Sequence, residues 1–145
     1  MTQATGTFEV ISGNEETYHD GDGEPRLTIA GGDQRFSGDI QGSGSVKWCM
    51  CYLPTGGARF VGIQRIEGSI DGHKGSFLIE SVGDHDGRAS RGSWKVVAGS
   101  GTGDLSDISG TGSFEAPGGP TVSYTLDYTF VMEAGEARLP VPPIK

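Results

Sequence analysis

Val122-Ser123-Tyr124-Thr125-Leu126-Asp127-Tyr128-Thr129-Phe130 alternates apolar and polar side chains without a break. A period of two is that of a strand with one buried face, here aromatic and aliphatic, backed by a face of hydroxyls and one acid. The same alternation recurs along the chain and predicts strands at 5–12, 26–37, 39–52, 58–71, 74–84, 88–98, 107–115 and 121–132. No segment shows a comparable helical stripe. Eight short strands with tight connections predict an all-β fold, an eight-stranded antiparallel β-barrel, because closure removes exposed sheet edges.

The 26 glycines fall at intervals between short apolar runs, as turns and bulges do, rather than clustering as in disordered sequence. With 145 residues the chain has room for one core. We expect a single barrel domain over 1–138, followed by the proline-rich, extended tail 139–145, Leu139-Pro140-Val141-Pro142-Pro143-Ile144-Lys145.

A net charge of −8 argues against binding nucleic acid or an anionic membrane surface, since both need a basic face. The N-terminus has no basic start followed by an apolar stretch, and no segment approaches the roughly 20 apolar residues of a membrane span. The expectation is a cytoplasmic protein. Cys49 and Cys51, the only cysteines, are spaced badly for a disulfide on an extended strand and are expected as free thiols.

Three connections carry hairpin chemistry: Pro54-Thr55-Gly56-Gly57, Asp71-Gly72 and Asp86-Gly87. Pairing Leu53 with Ala58, Asp71 with Lys74 and His85 with Arg88 defines one continuous inward face. It carries Lys47, Cys49, Cys51, Phe60, Gln64, Ile66, Phe77, Ile79, Ser81 and Trp94, the mixture of apolar walls and a few polar groups that lines small-molecule pockets. Tyr124 and Tyr128 add to this lining from the last strand. The opposite face carries Trp48, Met50, Tyr52, Val61 and Ile63, an outer apolar patch that predicts a homo-oligomer, dimer or trimer. A one-residue slip would exchange the two faces.

Gly6-Thr7-Phe8-Glu9-Val10, Phe36-Ser37-Gly38-Asp39, Gly75-Ser76-Phe77, Gly99-Ser100-Gly101-Thr102-Gly103 and Tyr124-Thr125-Leu126-Asp127-Tyr128 together resemble the bacterial family catalogued as domain of unknown function 3224. That family is similar to the allene oxide cyclase barrels of plants, which form trimers. The resemblance implies a lipocalin-like barrel with a ligand cavity and no particular reaction. Phe8-Glu9-Val10 resembles the cyclase strand that carries a glutamate, and Trp48-Cys49-Met50 the one that carries a cavity cysteine. Ile11 and Gly83 depart from the cyclase pattern, and Gln64 and Ser81 stand where the nearer family usually has a glutamate and a histidine.

Glu9 is the leading acid/base candidate: inside an apolar barrel its pKa would rise toward neutrality. The alternation equally allows Phe8 and Val10 to point inward and Glu9 outward. Cys49 is a cavity thiol, either packed or weakly nucleophilic beside Lys47. Gln64 and Ser81 either orient a polar substrate group or bond one another. His19-Asp20-Gly21-Asp22-Gly23-Glu24 and Asp84-His85-Asp86 lack the spacing of metal sites and read as loops, and Gly99-Ser100-Gly101-Thr102-Gly103 has no following helix to cradle phosphate. No metal and no cofactor is expected.

These residues together predict an isomerase or cyclase that folds an apolar polyene, polyketide-like or lipid-like substrate within the barrel, with Glu9, Cys49 and Gln64 as catalytic groups. The alternatives are a non-catalytic carrier or sensor of an apolar ligand, and a structural oligomer with a filled core.

Overall fold

The computed structural model describes residues 1–130; the expected tail 139–145 and the end of the expected last strand lie outside the described residues. Eight strands follow one another: β1 (Thr2–His19), β2 (Arg26–Gly38), β3 (Ile40–Tyr52), β4 (Ala58–Ile70), β5 (His73–His85), β6 (Ser90–Val96), β7 (Ile108–Ala116) and β8 (Thr121–Phe130). A single 3-10 turn, Gly103–Leu105, precedes β7. Each strand pairs antiparallel with the next, and β8 pairs with β1 from Thr2↔Tyr128 to Glu9↔Thr121, closing the barrel.

β1 runs well past the predicted 5–12. Beyond Glu9 it leaves β8 and continues on β2 alone, across a bulge between Val10 and Ser12. This ribbon stands along one end of the barrel. Glu15 ties it down, accepting hydrogen bonds from the Thr28 hydroxyl at 2.5 Å and the Tyr52 hydroxyl at 2.6 Å.

The β3–β4 register corrects the predicted faces. Tyr52, not Leu53, pairs with Ala58, because Gly56 and Gly57 both adopt positive φ (103° and 82°) and the loop closes from Leu53 N–H to the Gly57 carbonyl at 3.0 Å. One residue of slip exchanges the faces of β3. Trp48, Met50 and Tyr52 therefore turn into the barrel, while Lys47 and Cys49 are exposed and Cys51 turns to the outer wall. A fully buried aromatic removes roughly 150–250 Å² from water, so even partial burial of Trp48 outweighs hiding a thiol. The other two hairpins differ from expectation by two residues, placing Ile66 opposite Phe77 and Ser81 opposite Trp94, and leave their faces unchanged.

The slip also has a steric cause. The indole of Trp48 lies across Gly62 of β4, where a Cβ would collide with it. The same arrangement recurs at Phe36 over Gly44, Phe60 over Gly83, Phe114 over Gly92 and Tyr124 over Gly6. Many of the glycines are thus not turns: they are mid-strand spaces into which a neighbouring ring folds.

The middle of the barrel is filled. Phe8 stacks on Trp94 (centroids 5.9 Å) and leans on Phe36 (4.9 Å), and Trp94 stacks in turn on Tyr124 (5.5 Å). Beyond them Ile40, Ile66, Ile70, Phe77, Ile79 and Leu126 are almost wholly buried. The segment between β6 and β7 closes that end with Leu105, and Thr102 accepts the Ser76 N–H at 3.0 Å. Tyr124 locks the β2–β3 hairpin, donating to the Ser37 carbonyl and accepting from the Ile40 N–H, each at 2.9 Å.

Candidate functional site

At the end where β3 stops at Tyr52 and β4 starts at Ala58, the filling gives out and a cup of about 430 Å³ opens. Its volume is that of a small-molecule site. Phe8, Phe60 and Phe114 line its depth, Val10, Trp48, Met50, Pro120 and Val122 its walls, and Tyr52, His85 and Ser90 its more polar surroundings. Phe60 packs against Phe114 at 6.1 Å and meets Trp48 edge-on at 5.7 Å, so the apolar surface is built largely from aromatic rings. A larger concavity of about 590 Å³ runs outside the barrel past Asn14, Gly31, Lys47 and Arg65, but it is a shallower, more polar groove.

The polar groups around the cup are bound to one another. Tyr52 donates to Glu15, and the Arg26 guanidinium lies 4.3 Å from the centre of its ring. Hydrogen bonds from Thr28 and Tyr52 hold the Glu15 carboxyl below its ordinary value, while burial, followed by the bond to Glu15, pushes Tyr52 up to about 12. His85 Nδ1 and the Ser90 hydroxyl share a hydrogen bond of 2.8 Å across the start of the β5–β6 hairpin. The Asp86 carboxylate organises the turn above by accepting the N–H groups of Arg88 and Ala89, which lowers its pKa.

A polar layer lies within the aromatic core. Trp94 Nε1 donates to Gln64 Oε1 at 2.9 Å, and Gln64 Nε2 donates to Gln34 Oε1 at 3.0 Å. Gln34, Gln64 and Ser81 have no exposed surface. The Gln34 amide nitrogen, the Ser81 hydroxyl and the Trp48 indole nitrogen have no hydrogen-bond partner among the described residues.

Of the predicted site residues, only Phe60 lines the cup. Glu9 is exposed on the outer wall, opposite Arg35 and Thr121, because Phe8 takes the inward position. Lys47 and Cys49 are exposed, and Cys51 faces an outer groove shared with Tyr18 and Leu27, all through the β3 slip. Glu9 and Cys49 carried the resemblance to the cyclase site, and the two stand outside the barrel.

Gln64 and Ser81 do not bond one another, and with Trp94 they form the buried layer. Ile66, Phe77 and Ile79 are filled core. Tyr124 is a hairpin lock, pushed up to about 12 mainly by burial. Tyr128 donates to Asp71 at the far end of the barrel and is likewise pushed up to about 12 by burial and that carboxylate.

Among the described residues, no three His, Cys, Asp or Glu side chains converge as metal ligands. In the acidic loop, His19 is bound to Glu24 at 2.9 Å.

Trp48, Met50, Val10, Val122, Phe114 and His85 are among the lining residues that sequence reasoning missed. The signal for Trp48 and Phe114 was present in the glycine that each covers on the neighbouring strand.

No curated protein matches the chain. A crystal structure of a protein of unknown function from the DUF3224 family of Shewanella oneidensis MR-1 shares its fold, with a TM-score of 0.73 at 24% identity over 91% of this chain and 99% of the other. Residues 4–128 match the family model described as protein of unknown function (DUF3224), and the chain belongs to that family.

Proposed function

We propose that this protein binds a compact apolar molecule in the cup at the open end of its barrel, as a carrier or sensor. The observation that carries this reading is a concavity of about 430 Å³ walled by Phe8, Trp48, Met50, Phe60, Phe114 and Val122, above a barrel whose remaining interior is filled. Open apolar surface of this kind gains by excluding water, about 25 cal/mol per Å² covered. The cyclase reading named Glu9, Cys49 and Gln64, of which two face solvent and one is sealed in the core, so the geometry favours binding over turnover.

The test is titration with N-phenyl-1-naphthylamine, a neutral apolar fluorophore, on the wild type and on Val122→Trp, which fills the cup from its wall. The wild type is expected to bind saturably at one site, and the variant at least about tenfold more weakly, a loss of about 1.4 kcal/mol. The variant should unfold at a similar temperature. Equal affinity in the two proteins, or no saturable binding to the wild type, overturns the proposal.

A further inference from the structure

We infer that two copies of this chain pair through a single row of outward side chains on the barrel wall. The outside of the barrel is polar on most of its strands, with exposed Thr5, Thr7, Ser43, Thr111, Ser113 and Ser123 as examples. The exception is one level of the wall, where Ile29, Cys49, Val61 and Val82 stand side by side on β2, β3, β4 and β5 in unbroken register. Val61 is 50% exposed, Ile29 39%, and Ile63, one level along β4, 44%. With strands about 4.8 Å apart, the row spans roughly 14 Å. Apolar side chains grouped in this way on an otherwise polar wall mark an association surface rather than scattered surface residues.

The charges around the row select a second copy as the occupant. Lys47 and Glu80 flank Ile63 on one side of the row, and Arg59 and Asp84 stand together on the other. A two-fold axis running along β4 over Val61 lays the row upon itself, with Cys49 of each copy against Val82 of the other. The same rotation sets Lys47 on β3 against Glu80 on β5 of the second copy, and the symmetry makes that pair twice. Lys47 and Glu80 are both exposed, and neither has an ion pair among the described residues. A surface that matches itself under a two-fold rotation is what an isologous dimer requires.

Sedimentation velocity of the full chain over a wide concentration range tests this. The wild type is expected to show a reversible monomer–dimer equilibrium, and Val61→Glu to weaken it at least about tenfold while circular dichroism stays that of a folded barrel. Lys47→Glu should weaken the dimer, and adding Glu80→Lys should restore it. Val61→Cys, with Cys49→Ser and Cys51→Ser, should form a disulfide-linked dimer on oxidation, because the axis passes through that position. A wild type that sediments as a monomer at every concentration, or a Val61→Glu variant that pairs as tightly as the wild type, overturns the inference. A charge swap that fails to restore pairing overturns the two-fold arrangement.

Discussion

Replacing Gln64 with Leu removes the acceptor of the Trp94 indole N–H (2.9 Å) and the donor to Gln34 Oε1 (3.0 Å) in a layer with almost no exposed surface. Each lost bond has a net worth of about 1 kcal/mol, and each buried group left without a partner costs about 1–3 kcal/mol. The similar-sized apolar side chain returns about 1–2 kcal/mol through its own burial. The expected net cost is about 2–4 kcal/mol, which for a chain of this length lowers Tm by about 3–4 °C per kcal/mol. Urea unfolding followed by tryptophan fluorescence measures it. Because Gln64 lies in the buried layer and does not line the cup, affinity of the folded variant for the naphthylamine probe should equal that of the wild type. Gln34→Leu with Gln64→Leu should cost less than the two single changes added together, since the variants share one hydrogen bond. A loss below about 1 kcal/mol for Gln64→Leu would refute the brace. So would a variant of full stability with weakened ligand affinity, which would return Gln64 to the binding site.

Tyr124→Phe should cost about 2–4 kcal/mol, because it strips the Ile40 N–H and the Ser37 carbonyl of their common partner in a buried corner; thermal unfolding reads this directly. The Glu15 carboxylate, lowered by its bonds to Thr28 and Tyr52, favours the folded state above the ordinary glutamate range near pH 4.3 and loses that advantage as pH falls through its own lower pKa. The stability difference between wild type and Glu15→Gln should therefore be constant from neutrality to about pH 5 and shrink below it, as measured by urea unfolding across pH. At dilutions where the chain is monomeric, Cys49 should be labelled rapidly by a thiol reagent on the folded protein, with no protection from a ligand in the cup. Slow labelling that follows unfolding would place it inside after all.

Strand number and strand position were legible because period-two patterning bounded by turn residues recurs along β2 to β8, and predicted and observed limits differ there by no more than two residues, apart from the end of the last strand, which lies outside the described residues. The candidate site was much less legible, for one reason of parity. Period-two patterning shows that β3 has two faces, but both of its faces are partly apolar: Trp48, Met50 and Tyr52 on one, Cys49 and Cys51 on the other. The loop Leu53–Gly57 decided between them by closing one residue earlier than its Pro-Thr-Gly-Gly core suggested. On β1, Phe8 settled the direction of Glu9 by stacking on Trp94, a contact far off in sequence. The glycines misled in a related way. Spaced glycines were read as turns and bulges, yet Gly62, Gly83 and Gly92, inside the strands, are the spaces that admit the rings of Trp48, Phe60 and Phe114.

The central claim, that an apolar ligand sits in the cup, is tested most directly at Met50. The chain has three methionines, and Met50 lines the cup whereas Met1 is exposed at the N-terminus. In a protein labelled with 13C at the methionine methyls, with Met50→Leu supplying the assignment, titration with the naphthylamine probe should shift the Met50 resonance saturably and leave Met1 unmoved. Saturable binding that leaves Met50 unmoved would contradict the account.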